Sequence, residues 1–229
     1  MTGVNSGSDK MKCIGLKMTS ISPIQYFYTA AAGGMRSSNF IGDIALKYAF
    51  IRQSGLFNLP ELDKFKPTYT ELNNFKFWLT PAISSKMALG HGSDTVFLKN
   101  MVRNTMQGID YNGSNMHPSF KSGQLMYKNF FFTQSIKPGN VFYSYLLMDE
   151  GVTDFKIPEA VRVGNNRTGL LKIEKTKEDF LAVVNLYTIT KILGKKLLLY
   201  KNEYSSHLIL QYYLKGYYNK PEVIEVYDS

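Results

Sequence analysis

Cysteine is nearly missing from this chain of 229 residues, where Cys13 stands alone. One thiol cannot close a disulfide within the chain or build a thiolate-rich metal site, so the sequence suits a reducing interior. Histidine is scarce too. His91, His117 and His207 show no H-x-x-x-H or H-E-x-x-H spacing and no neighbouring cluster of carboxylates, so no metal centre is expected. No apolar run approaches the roughly 18 residues that span a bilayer. The longest candidate, 141–148, is broken by Tyr and Ser. The opening MTGVNSGSDKMK lacks the apolar centre of a signal peptide, so residues 1–10 are expected to be a disordered lead-in and the protein cytoplasmic. Acid is short relative to base: 18 Asp and Glu against 27 Lys and Arg leave a net charge of +9. That imbalance points to a polyanion or a strongly acidic protein neighbour.

The residues that are present describe a globular protein. A hydrophobic share of 44% with 20% charged residues excludes wholesale disorder, and the length suits one domain over 1–229. Sixteen Tyr and fifteen Phe provide core and also flat surfaces on which bases can stack. The most informative stretch is 155–175, FKIPEAVRVGNNRTGLLKIEK. Strands are expected at 157–163 and 170–174, joined by Gly164-Asn165-Asn166-Arg167-Thr168-Gly169, residues that tolerate positive φ. Alternation sets Arg162 opposite Val161 and Val163, and Lys172 opposite Leu171 and Ile173. With Arg167 at the tip, this hairpin offers cations, amides and turn N–H groups to phosphate. A solvated hairpin with a basic outer face is the plain alternative.

Along the chain, Ile14, Leu16 and Met18 at period two predict a first strand over 11–21, with Ser22-Pro23 ending it and 25–29 extending it. A small-residue loop at 30–38 carries Gly33, Gly34, Arg36 and Ser37. It feeds a helix, capped by Ser38 or Asn39, whose Phe40, Ile41, Ile44, Ala45 and Tyr48 share one face. Such a loop can hold a phosphate on free N–H groups with Arg36 as counter-charge, although it matches neither the Walker nor the dinucleotide pattern, so no cofactor is assigned. Residues 53–70 read as loop and 75–79 as strand. The stretch 84–128 has no sustained period, is rich in Ser, Gly, Asn and Met, and carries Lys86, Lys99, Arg103, Lys121 and Lys128. It is expected to be an inserted, flexible basic arm that orders on a partner. A hairpin is expected from 127–136 and 141–148 around Lys137-Pro138-Gly139-Asn140. Beyond the central stretch, 176–179 resembles a capping box opening a helix, 180–193 is ambiguous, 195–200 and 222–227 read as strands, and 206–214 as a helix. The mixture predicts an α+β domain dominated by antiparallel sheet.

No nucleophile elbow, Cys and His pairing or kinase motif is present. Metal-independent RNA cleavage by His91 or His117 with a Lys or Tyr partner remains an alternative, because such a site needs only a few side chains.

Two segments resemble a known family. The run Phe40-Ile41-Gly42-Asp43-Ile44-Ala45-Leu46-Lys47-Tyr48-Ala49, after a strand and a small-residue loop, resembles the N-Y-A-L-x-Y-A helix of the handle-capping subunit of type I-D CRISPR Cascade complexes. Ile157-Pro158-Glu159-Ala160-Val161-Arg162-Val163-Gly164 looks like that family's proline, then Arg-hydrophobe-Gly strand before a basic turn. Asp43 stands where the family often has Asn, and Asn-Asn-Arg-Thr replaces a more usual Lys-rich turn. The resemblance implies a repeat-associated (RAMP) protein with a ferredoxin-like, RNA-recognition-type core, an inserted thumb and extra β-hairpins. It implies a non-catalytic subunit that binds the 5′ handle of the CRISPR RNA (crRNA) and caps the backbone filament. It further implies contact with the large subunit near the protospacer-adjacent motif of target double-stranded DNA. The candidate RNA-binding residues are Arg36 and Ser37 in the loop, Lys47 on the first helix, and Lys86 and Arg103 in the arm. Arg162, Asn165, Asn166, Arg167 and Lys172 complete the set on the hairpin. No catalytic residue, metal, cofactor or membrane contact is assigned. Two rivals stand beside this reading: an endoribonuclease that processes precursor crRNA, and an assembly protein that meets an acidic partner without touching RNA.

Overall fold

Alternation builds the first strand: in Lys12–Ser20 (β1), Leu16, Met18 and Ser20 are buried on one face while Lys17 and Thr19 lie half-buried on the other. The computed structural model describes residues 11–31, 34–37, 40–54, 69–90, 100–106, 130–149, 151–152, 155–196, 204–208, 211–214 and 216–228. The strands that follow are Phe27–Ala31 (β2), Gly34–Ser37 (β3), Phe40–Ile41 (β4), Phe77–Leu79 (β5), Ala82–Ser84 (β6), Asn100–Met106 (β7) and Phe130–Ile136 (β8). They continue with Val141–Met148 (β9), Ala160–Val163 (β10), Gly169–Thr176 (β11), Tyr204–Leu208 (β12) and Gln211–Leu214 (β13). The α-helices are Asp43–Gln53 (α1), Ser85–Ala88 (α2) and Lys220–Asp228 (α3).

The main sheet has seven strands in the order β10-β11-β1-β9-β6-β4, with β5 also on β9, and its ladders are antiparallel. Counting β1, the β5/β6 edge, β9 and β11 as the four core strands, their spatial order is fourth, first, third, second. That is the ferredoxin-like arrangement the family resemblance implied, with β10 added at one edge. Helix α1 crosses from β1 to β5 and packs against β10 and β5. Its Ile44, Leu46, Phe50 and Ile51 join Leu16, Met18, Phe142, Leu146, Val161, Val163 and Leu171 in the core. Each such fully buried aliphatic or aromatic side chain contributes about 1.5–3 kcal/mol. A second sheet, β2-β3-β8-β7, pairs β3 with β8 in parallel, and β12–β13 form a separate hairpin.

Several expectations are corrected. The 30–38 segment does not feed a helix as a free loop: Ala30 pairs with Met35 and Ala31 with Gly34 in a β2–β3 hairpin, and the helix begins at Asp43 after Gly42. Gly33, Ser38 and Asn39 lie outside the described residues. The turn at 137–140 forms, with Gly139 at φ 85, but its arms part: β8 joins the second sheet and β9 the first. The 84–128 stretch holds α2 and β7 in its described parts, and β7 pairs with β8 along its whole length. The box at 176–179 opens no helix, because Glu178 N–H donates to Thr176 Oγ1 at 3.1 Å and the Tyr143 hydroxyl takes the Glu178 carboxylate. The 206–214 stretch is the β12–β13 hairpin rather than a helix. The 222–227 stretch lies within α3, opened by a reciprocal cap: Asn219 N–H donates to Glu222 Oε2 (2.7 Å) and Glu222 N–H to Asn219 Oδ1 (3.1 Å). Most of the expected 53–70 loop, and 197–200 of the expected 195–200 strand, lie outside the described residues, as do residues 1–10.

Candidate nucleic-acid interface

The β10–β11 hairpin forms where the sequence placed it, though its first strand is shorter than 157–163. Arg162 opposes Leu170 and Ala160 opposes Lys172, so the two cations share one face; Val161 opposes Leu171, buried on the other. Between the strands, Asn165–Arg167 makes one 3₁₀ turn, and Arg167 adopts φ 53.

What fixes the tip is the chain after β1. The Asn165 N–H donates to the Gln25 carbonyl at 2.6 Å, and Leu170 N–H donates to Ser22 Oγ at 2.8 Å. Ser22 in turn donates to the Thr168 carbonyl at 3.0 Å. Two glycines permit this approach. At Gly164 (φ 83) a Cβ would lie 2.8 Å from the Gln25 oxygen, and at Gly169 it would lie 2.8 Å from Ile24 Cγ1. Ile24 also exchanges both backbone hydrogen bonds with Ile136 at the end of β8. The short segment 22–26 therefore joins the hairpin tip to the second sheet.

The candidate residues divide accordingly. Arg162, Asn165, Arg167 and Lys172 are exposed on the hairpin, and Asn166 sits in the same turn, its side chain outside the described set. Lys172 makes a 2.9 Å ion pair with Glu174, and this contact holds the Glu174 carboxyl below its usual range. Arg36 and Arg103 lie in the second sheet, on neighbouring rows: Met35 pairs with Thr133, and Thr133 with Arg103. Their side chains lie outside the described set. Ser37 is buried and donates its hydroxyl to the Gln134 carbonyl, so it holds β3 to β8. Lys86 is exposed on α2, which continues from β6, whereas β10 lies at the far end of the sheet order.

Lys47 is not on a surface at all. It is fully buried, donates to the Phe75 carbonyl at 2.9 Å, and places Nζ 3.1 Å from the Trp78 ring centre. Burial pushes its ammonium down to about 6, against the pull of Asp43 one turn earlier. Asp43 is buried as well, and burial raises its carboxyl although Asn185 (2.8 Å) and the Thr188 hydroxyl donate to it. The helix N-terminus proposed to hold a phosphate thus already carries a carboxylate of its own. Lys47 leaves the RNA-binding set as a correction: helical spacing exposed it, and the aromatic residues of β5 cover it.

Sequence reasoning missed Ser22, Ile24 and Gln25, which seat the tip. The Ser-Pro break after β1 was the available signal, but it does not say what the break packs against. His91 and His117 lie outside the described residues, and His207 falls in β12 with its side chain undescribed. Among the described residues, no three His, Cys, Asp or Glu side chains gather as metal ligands.

An antiparallel sheet in ferredoxin-like order, with a basic hairpin at one edge and a second sheet docked beside it, makes this an α+β protein of the ferredoxin-like class. Sequence comparison specifies it further: the profile described as type I-D CRISPR-associated protein Cas5/Csc1 matches residues 11–222, and the chain belongs to that family. It is therefore a CRISPR Cascade subunit that works with other CRISPR-associated subunits. A search of curated proteins finds no match. Among solved structures, the chain is similar to Pyrococcus furiosus Cmr4 (Cas7) at 9% identity and a TM-score of 0.31, covering 72% of this chain and 100% of that one. Similarity at that level adds nothing to the fold assignment.

Proposed function

We propose that this chain is the non-catalytic subunit that binds the 5′ handle of crRNA, caps one end of the backbone filament and contacts the large subunit near the protospacer-adjacent motif. Family membership supports this reading, since the family is generally a non-catalytic Cascade subunit. The observation that carries it is the tip of β10–β11, where Arg162, Arg167 and Lys172 stand exposed on a hairpin seated by Gly164 and Gly169. A single-stranded handle is gripped there through its phosphates, with Arg36 and Arg103 of the adjoining sheet as the second bank. Among the described residues no helix is long and apolar enough to cross a membrane.

Purified complex carrying its crRNA tests the reading. Arg162→Ala and Arg167→Ala should each weaken handle binding and lower the dependence of log affinity on log salt by about one unit per lost phosphate contact. Unchanged affinity and salt slope in the double variant would refute it. Cleavage of repeat RNA by the purified chain without metal, abolished by His91→Ala or His117→Ala, would replace it with the processing nuclease.

A further inference from the structure

The face of the main sheet that carries Tyr143 and Tyr145 is only half covered. Phe180 lies flat on Tyr145 (ring centres 4.1 Å apart, 13° between planes) and against Tyr143 at 5.0 Å, closing the half around Gly15. The other half is described by register. Leu170 opposes Arg162 on one side, and on the other its carbonyl accepts the Ile21 N–H at 2.8 Å. The next row on this face sets Ala160, Lys172, Thr19 and Val141 side by side across four strands. Arg162 and Lys172 are exposed, and Ala160, Leu170, Thr19 and Val141 are half-buried. Ile21 is 51% exposed, the most open of the large apolar side chains among the described residues.

This is an unusual place for an isoleucine. Apolar side chains scattered singly over a surface need no explanation. Here, however, Ile21 continues a cross-strand row that begins with Arg162, and its neighbouring row contains Lys172. Flat aliphatic surface flanked by cations is complementary to a base whose phosphates lie on either side. Sheet faces of RNA-recognition type offer bases that kind of support, usually with aromatic rings. Glu174, the acid beside Lys172 on this face, is tied to it in a half-exposed pair of the sort worth little in water, which a phosphate can displace.

We infer that the open half of the outer sheet face is a base-contacting platform for single-stranded RNA, with Ile21 and Leu170 against the base and Arg162 and Lys172 on its flanking phosphates. The inference rests on the RNA-binding function proposed above and adds which surface reads the RNA and by what chemistry. A protein neighbour would need a broader apolar patch than Ile21 and Leu170 supply.

The test uses the full chain and two fluorescein-labelled oligonucleotides of equal length, one a normal single-stranded RNA and one an abasic RNA with the same phosphates. Ile21→Ala should weaken binding of the normal RNA by about fivefold with no change in salt slope, and leave the abasic strand unaffected. Ile21→Trp should tighten the normal RNA and again leave the abasic strand alone. Arg162→Ala should weaken both strands and lower the slope. If both Ile21 variants bind normal RNA as the native chain does while Arg162→Ala weakens it, the platform is wrong and phosphate gripping stands. If no variant alters either strand, both ideas fall and the face belongs to a protein neighbour.

Discussion

Replacing Lys47 by Met isolates the cost of burying an amine. In an unfolded chain the lysine is protonated up to its ordinary 10.5, whereas burial brings the folded value to about 6. A group whose folded pKa lies below its unfolded value opposes folding most strongly at and below the lower value. That penalty fades as pH rises and is gone above the upper one. At pH 7 the gap spans between three and four units, roughly 4–5 kcal/mol, and each unit of pH changes the folded-to-unfolded ratio by a factor of about ten. Two contacts work against the penalty. The face of Trp78 and the Phe75 carbonyl both favour the cation, so that figure is an upper bound. Lys47→Met keeps most of the side-chain volume and leaves the Phe75 carbonyl without this donor, a loss of about 1–3 kcal/mol. Urea unfolding at about pH 6.5 and 8.5 separates these effects, in a window below the range where Cys13, pushed up to about 11 by burial, begins to matter. Native stability should rise with pH across that window, by up to a hundredfold in equilibrium constant relative to Lys47→Met. Parallel pH profiles for the two proteins would refute the account, because they would mean that Lys47 holds its proton in the fold.

Three further outcomes follow from particular contacts. Gly169→Ala should destabilise the fold by about 2 kcal/mol and loosen the hairpin tip, since its Cβ would press on Ile24 and on the Val163 carbonyl; hydrogen exchange at Asn165 reports the loosening. Asn219→Ala should cost about 1 kcal/mol in thermal or urea unfolding, through the lost cap of α3. Glu174→Gln releases Lys172 and should strengthen RNA binding at low salt by about twofold, an advantage that disappears as salt is raised.

Local chemistry made part of this protein readable from its residues. Period-two burial in β1, the glycine-bracketed turn of 164–169, the Pro-Gly turn at 137–140 and the outward placement of Arg162 and Lys172 depend on near neighbours, and each is present. The Val, Ile and Tyr residues of 222–227 illustrate the limit. Their β propensity suggested a strand, but Val223, Val226 and Tyr227 are spaced three and four apart, and the Asn219–Glu222 cap starts a helix. The same weakness made 206–214 look helical when it forms a hairpin.

Composition and short-range pattern determined the class of the chain: an α+β domain, basic, with a cationic hairpin and two short segments that resemble a known family. Tertiary structure decided which cations reach solvent and which surfaces meet. Lys47 lies under Trp78, Ser37 spends its hydroxyl on β8, β8 and β9 separate into different sheets after a well-formed turn, and Ile21 remains in the open next to Leu170, which opposes Arg162. The physical reason is that turns and alternation are set by bonds a few residues long. Burial depends on which distant strand completes the surface, and long-range packing settles that only when the whole core closes.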